Sequence, residues 1–325
     1  MIVFIYYINI GGIKMTKKVI VPKEFENYLR PSLETKGFEV ISLVSENENA
    51  ILEHKDASGI VINTSPLSKK ILDQMPNLKI ISRFGVGYNN VDLDYTNKRG
   101  IYVTNTPAGN EVSVAENAVT DMLLMSKNLY NVSQHMRNGD NAYAFDNPSS
   151  DLRGKTVGII GYGNIGKYVA KLLSSFGVNI LIWNRTKKES QYGTLVEWDD
   201  LLKQSDFVSL HLPAVKGTIG SINKNSFKMM KNSAYIINFA RGAVINQTDL
   251  INALKDGEIA GAGLDVYEQE PLPMNSELRK LDNVFLTPHS ASNSIESFTK
   301  IANMDVSEIN KVLNGEKPDH CVNGL

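Results

Sequence analysis

The sequence predicts an α/β protein whose two domains are each built on a parallel sheet. Three observations lead there. Short apolar runs alternate with amphipathic stretches, the rhythm of β-α-β units with right-handed crossovers. The rhythm occurs in two separate series, one from Lys18 and one from Thr156. The length, 325 residues, suits two domains of ordinary size.

In the first series VIV (19–21), FEVISLV (38–44), GIVIN (59–63), KIISRF (79–84) and IYVTN (101–105) read as strands. FENYLRPSLETKG (25–37) reads as a helix interrupted at Pro31 and stopped at Gly37. SVAENAVTDMLLMSKNL (113–129) reads as a longer helix, with Ser113 as cap and Glu116 completing a capping box. AYAFDNPSSDLRGK (142–155) reads as a polar connecting loop. The second series runs strand, glycine turn, helix, strand over 156–186. DFVSLHLP (206–213), AYIINFARG (234–242), GAGLDVY (261–267) and VFLTPHS (284–290) supply further strands, and 294–315 a long helix ending at Gly315.

Composition narrows the function classes. Apolar residues make up 42% and charged residues 21%, ordinary for a globular chain with sizeable cores. Lys plus Arg is 34 against 35 acidic residues, a net charge of −1. That balance gives no electrostatic reason to expect nucleic acid or an anionic membrane as partner. The one cysteine, Cys321, excludes an internal disulfide and reads as an incidental thiol on a mobile tail. It fits a reducing compartment, so a cytoplasmic location is expected. The apolar run Ile2–Ile10 is shorter than the roughly 20 residues of a membrane span and lacks a basic leader and cleavage site. Translation is expected to start at Met15, with 1–14 an extension; a short edge strand is the competing reading.

Gly161, Gly163 and Gly166 form G-x-G-x-x-G directly after the strand VGII and directly before a helix. The first makes a tight turn, the second admits a pyrophosphate close to backbone, and the third lets helix pack on strand. The helix N-terminus adds free N–H groups for phosphate, so Tyr162, Asn164 and Ile165 join the glycines as dinucleotide contacts. The next strand ends at Asn184-Arg185-Thr186-Lys187-Lys188. A carboxylate there would hold the ribose of NAD and repel a 2′-phosphate, whereas Arg185 can pair with one. NADPH is therefore expected to serve at least as well as NADH. The alternative is a solvated basic loop with Asn184 bonding the ribose.

Three later segments, NFARGAVINQTDL (238–250), AGAGLDVYEQEPLP (260–273) and NVFLTPHSAS (283–292), each put polar residues just beyond an apolar strand. Ligands of open parallel sheets bind at that end, so Arg241, Glu270 and His289 can meet there. The residue types suit reduction of a ketone. Negative charge grows on oxygen as hydride arrives, so a proton donor is needed. Histidine titrates nearest neutral pH, and a neighbouring carboxylate favours its charged form. A planar guanidinium holds two oxygens at once. Glu268 competes with Glu270 for the carboxylate role. His211 reads as structural, while His54, His135 and His320 read as loop or surface residues. No two histidines have metal-ligand spacing, so no metal is expected.

The strings SRFGVGYNNVDL, TNTPAGNEVSVAENAV, LRGKTVGIIGYGNIG, LHLP, NFARG, GLDVYEQEP and TPH resemble the D-isomer-specific 2-hydroxyacid dehydrogenases. The likeness runs over nearly the whole chain, and is strongest to short D-3-phosphoglycerate dehydrogenases and glyoxylate/hydroxypyruvate reductases. It implies two Rossmann-like, doubly wound parallel-sheet domains with a cleft between them. Residues 15–112 and 294–325 would form the substrate domain and 113–293 the dinucleotide-binding domain, with hinges in the helices 113–129 and 294–313. Arg241 would clamp the substrate carboxylate and polarise the keto oxygen. His289 would be the acid/base, Glu270 its partner, and Asp265 a contact of the nicotinamide carboxamide. The backbone amides of Val86 and Gly87 would hold the substrate carboxylate. Leu212, Pro213, Thr218 and Ala240 would be further cofactor contacts. A homodimer through the cofactor domain is expected, with a small 2-oxo or 2-hydroxy acid as substrate. Arg83 and Arg137 are candidate phosphate contacts if that acid is D-3-phosphoglycerate. The chain departs from the family pattern at Asn184, and at Ser290 and Ser292, where small apolar residues or glycine are common. No regulatory domain is expected after the last helix. Relatives that sense nucleotides and recruit peptide partners keep the same residues, so a binding protein is the alternative to an enzyme.

Overall fold

The structure is a computed structural model that describes residues 16–325 except Glu46, Thr64, Asn89 and Lys187. The expected start at Met15 and the extension 1–14 lie outside the described residues. Two compact units emerge: one runs to Asn110 and resumes over Ile295–Leu325, the other is Glu111–Ser294.

The first unit carries β1 (Lys18–Pro22), β2 (Glu39–Leu43), β3 (Gly59–Ile62), β4 (Ile80–Arg83) and β5 (Tyr102–Thr104) in a parallel sheet of order β2-β1-β3-β4-β5. Its strands are apolar on both faces, as burial between two helical layers requires. Val19, Val21 and Ile80 pack with Ile301, Val306 and Ile309 of the long helix Ile295–Leu313. Ile20, Ile60, Ile81 and Val103 build the core on the other side.

Two expectations fail in this unit. Pro31 does not interrupt its helix, which runs Glu26–Thr35. Leu29 and Leu33 are wholly buried along it, and that packing outweighs the one backbone hydrogen bond proline forfeits. Cys321 does not sit on a loose tail. It bridges Thr104, the Val322 N–H donates to Val103 O at 2.8 Å, and the Asn323 side chain accepts from Val103 N at 3.0 Å and donates to Ile101 O at 2.9 Å. The tail thereby closes the edge of β5.

The second unit carries β6 (Thr156–Ile160), β7 (Asn179–Trp183), β8 (Thr194–Leu195), β9 (Phe207–Leu210), β10 (Tyr235–Asn238), β11 (Gly261–Leu264) and β12 (Val284–Leu286). They form a parallel sheet of order β12-β11-β10-β9-β6-β7-β8. Ile236 and Ile237 face opposite cores, as successive residues of a strand must. The order reverses between β6 and β9, the switch point where such sheets take ligands.

The helix expected over 113–129 runs Glu111–Ser126. Ser113 is therefore inside it and is not its cap; the hydroxyl instead donates to Ala291 O at 2.7 Å. The stretch read as loop contains a short helix, Tyr143–Asp146, and a further helix, Leu129–Arg137, precedes it.

Candidate active site

Register decides which residues share the site edge. Trp183, Ile160, Leu210, Asn238, Leu264 and Leu286 form one transverse row of the second sheet. The residues immediately after them are Asn184, Gly161, His211, Phe239, Asp265 and Thr287. The glycine turn and the loops bearing Arg241, Glu270 and His289 thus leave the sheet at one edge.

The glycine turn has the shape of a phosphate cradle. Gly161 has φ +99°, and a Cβ there would lie 2.5 Å from His211 O. A Cβ on Gly166 would lie 2.1 Å from Gly161 O, so the helix could not pack this close. Above Gly163 there is open space to 4 Å. The helix Asn164–Leu173 starts there with no side-chain cap, leaving the amides of Asn164, Ile165 and Gly166 for an anion. These residues fit a dinucleotide pyrophosphate. Beside them the Asn184 side chain staples the turn, accepting from Tyr162 N at 2.9 Å and donating to Thr186 O at 2.7 Å. Arg185 and Thr186 are exposed, and Lys188 Nζ donates to Tyr162 O at 3.3 Å.

Arg241 and Glu270 are brought near each other by a close backbone approach. A Cβ on Gly242 would lie 1.8 Å from Tyr267 O, so only glycine fits. Arg241 is largely buried and donates through Nη1 to Ala240 O at 2.7 Å. Glu270 accepts from Tyr267 N at 3.1 Å through one oxygen, and the other lies 2.6 Å from His289 Nδ1. With Nδ1 facing the carboxylate, Nε2 is the nitrogen left to a ligand. Glu268, the competing carboxylate, is engaged elsewhere: it accepts from Gln247 N at 2.9 Å, at the start of a helix.

His289 is held in a costly conformation. Its φ is +52°, the left-handed region that costs a non-glycine residue roughly 1–3 kcal/mol. Asp265 supports it. The His289 N–H donates to Asp265 O at 2.8 Å, Ser290 N and Thr287 Oγ1 donate to one carboxylate oxygen at 2.8 and 2.6 Å, and Ala291 N donates to the other at 3.0 Å. Ser113 and Asn117 add donors to Ala291 O. The loop is pinned from three sides while the imidazole stays about one-third exposed.

The charges suit the geometry. Burial alone would raise the Glu270 carboxyl. The hydrogen bond and charge of His289, the Tyr267 amide and the Arg241 charge outweigh it and hold the group below its usual range. Burial lowers the Arg241 guanidinium, with the Glu270 charge opposing. His211 is driven down to about 3 by burial; its Nε2 bonds Ser209 Oγ at 2.9 Å and its Nδ1 has no partner among the described residues.

Other expected residues sit differently. Leu212 and Ala240 are buried and Pro213 is exposed. Thr218 turns its hydroxyl back to Pro213 O and accepts from Val215 N, so it shapes its own loop. Val86 and Gly87 belong to the first unit. There Asn105 Nδ2 donates to Val86 O at 2.7 Å, and no described residue accepts from the amides of Val86 and Gly87. Arg83 directs Nη1 to Phe84 O, and its charge bears on buried Asp305. Arg137 is exposed. His320, expected at the surface, is paired with buried Glu308 at 2.7 Å. The sequence reading missed Gly242, Asn117 and Asp121. For Gly242, its place right after Arg241 was the available signal.

A family profile described as "D-isomer specific 2-hydroxyacid dehydrogenase, NAD binding domain" matches residues 119–291. The chain belongs to the D-isomer specific 2-hydroxyacid dehydrogenase family. The enzyme is 40% identical over 282 residues to a glyoxylate reductase of Thermofilum pendens, covering 84% of this chain and 82% of that one. It is 34% identical to a D-3-phosphoglycerate dehydrogenase of Archaeoglobus fulgidus, covering 94% of this chain but 59% of that longer one. Its structure is similar to the NADPH-dependent glyoxylate/hydroxypyruvate reductase of Sinorhizobium meliloti in complex with NADP and malonate, at TM-score 0.82 and 30% identity over 94% of this chain and 96% of that one. The dehydrogenase is thus an oxidoreductase of CH–OH groups that takes a nicotinamide cofactor and a small 2-oxo or 2-hydroxy acid. The peptide-recruiting binding protein is not favoured.

Proposed function

We propose that this dehydrogenase reduces glyoxylate, or a 2-oxo acid of similar size, to the 2-hydroxy acid with NADPH as the preferred donor. The observation that carries the proposal is the Glu270–His289 contact of 2.6 Å beside the buried Arg241. The bound cofactor supplies the hydride that adds to C2. Arg241 binds the carboxylate and keto oxygen and opposes the charge that grows on that oxygen. His289 gives the proton on Nε2 to the oxygen as the C2–O double bond becomes single, then regains one from solvent. Glu270 fixes Nδ1 as a donor and stabilises the imidazolium. Asp265 holds the loop, and on this reading also meets the nicotinamide carboxamide. The unit Glu111–Ser294 is the cofactor domain, and the Val86 and Gly87 amides of the other unit bind a carboxylate.

The preference for NADPH follows from Asn184, which replaces a repelling carboxylate, and from exposed Arg185 beside it; the likeness to an NADPH-dependent reductase supports it. Phosphoglycerate is less well supported, because Arg83 directs Nη1 to Phe84 O. A homodimer is proposed through the helix Leu129–Arg137, which buries no residue within the chain and exposes Leu129, Tyr130 and Met136. No described helix is long and apolar enough to cross a membrane. The near-neutral net charge favours a small-molecule substrate over nucleic acid, and the single cysteine fits a cytoplasmic location.

The test is a panel of 2-oxo acids assayed with NADH and NADPH. Glyoxylate with NADPH should give the highest kcat/KM. Arg241→Ala should lose about 100-fold or more, and Asn184→Asp should shift preference toward NADH by about tenfold. Turnover with phosphohydroxypyruvate alone, or a strong preference of the unaltered enzyme for NADH, would contradict the proposal.

A further inference from the structure

Asp121 lies in the helix Glu111–Ser126 among apolar neighbours and is 3% exposed. Its Oδ2 is buried with no hydrogen-bond partner among the described residues. A Cβ on Gly263 would come 2.6 Å from that oxygen. Gly263 and Asp265 are two positions apart along β11 and its end, hence on one side of the chain. A second buried carboxyl therefore stands against the one that pins the His289 loop.

We propose that Asp121 is a positioning residue for the His289 loop, which it controls through Asp265 by standing beside it as a neutral carboxyl. The inference rests on the reading of His289 as proton donor. Neutral, Asp121 leaves the Asp265 oxygens free to accept from Thr287, Ser290 and Ala291. Ionised, it sets two like charges together in a site too dry to screen them, and the relief available is displacement of Asp265 with the loop attached. Burial first, and the Asp265 charge second, push the Asp121 carboxyl up to about 7, so the change falls near neutral pH. The helices and strands packed on Glu111–Ser126 bring few other titratable groups. Those of the helix Asn164–Leu173 are Lys167, Tyr168 and Lys171; those of Leu129–Arg137 are Tyr130, His135 and Arg137; and β10 brings Tyr235. All reach the surface, and Asp265 is the charge that registers at Asp121.

Amide hydrogen exchange across 287–291 tests the idea without relying on activity. In the full chain, protection of the Ser290 and Ala291 amides, corrected for intrinsic exchange, should fall about tenfold between about pH 6 and about pH 8. Asp121→Asn should abolish that step. It should also reduce the loss of kcat over the same interval. No step in the unaltered protein, or an equal step in Asp121→Asn, would overturn the inference; if the variant does not fold, the unaltered protein alone decides. His289→Ala separates the two ideas. Full activity in that variant would remove the reading of His289 as donor, while the exchange step would still report on Asp121.

Discussion

Each unit contains one histidine paired through Nδ1 with a glutamate: His289 with Glu270 at 2.6 Å, and His320 with Glu308 at 2.7 Å. Both imidazoles are about one-third exposed. The pairs differ in what surrounds them. Glu308 is buried, and its second oxygen accepts from Asp319 N, so that pair ties the C-terminal tail to the helix Ile295–Leu313. Glu270 is partly exposed, lies near the Arg241 charge, and faces a histidine whose backbone is forced to positive φ. A His–Glu contact is thus no signature of catalysis. Strained backbone with independent support and a second buried charge nearby set the Glu270 pair apart.

The largest effect should come from Gly242→Ala. The added methyl meets Tyr267 O, and the contact with that loop must open, so the Arg241 and Glu270 loops separate. Soluble yield and urea midpoint should both fall, the midpoint by the equivalent of about 3 kcal/mol or more in unfolding free energy, and residual protein should be inactive. No close approach of this kind supports the His320 pair among the described residues, so its neighbours should tolerate small substitutions.

Exchanging one atom in each glutamate is the sharper contrast. Glu270→Gln should lower kcat for 2-oxo acid reduction by about tenfold to a hundredfold and leave the urea midpoint nearly unchanged. Glu308→Gln should do the reverse, lowering the midpoint and loosening the tail while kcat stays within about twofold. Equal kinetic losses in the two would erase the distinction.

The smallest effect is a pH dependence of stability beside the structural pair. Burial holds the Asp305 carboxyl up at about 7; the Ser82 hydrogen bond and Arg83 charge oppose this, and the Glu308 charge adds to it. The folded chain then keeps a proton that the unfolded chain releases near the ordinary carboxylate value. Stability from this group is full below about pH 4 and lost as pH rises through about 7. Asp305→Asn should flatten that part of the profile of urea midpoint against pH. An unchanged slope would show that Asp305 is ionised in the folded state.

Much of this was legible in the sequence because the signals are local. A glycine turn between strand and helix, and polar residues one step past apolar strands, announce themselves by spacing. Parallel strands buried on both faces also read as near-continuous apolar runs. What was hidden depends on partners distant in sequence. Ser113 looked like a helix cap, yet its hydroxyl serves Ala291 O, 178 positions away. Pro31 looked like a break, because packing of Leu29 and Leu33 is invisible in local propensity. The helix Leu129–Arg137 buries nothing within the chain, so it leaves no burial pattern to read. Asp121 resembled any polar residue on a helix until Gly263 and Asp265 were found behind it.

In the proposed reaction His289 delivers the proton that accompanies hydride transfer. Single-turnover reduction of glyoxylate by the NADPH-loaded enzyme, followed across pH for the unaltered protein and for His289→Asn, tests it most directly. The variant should be slower than the unaltered enzyme by about 100-fold or more. A variant that keeps both the speed and the pH profile of the parent would contradict the account.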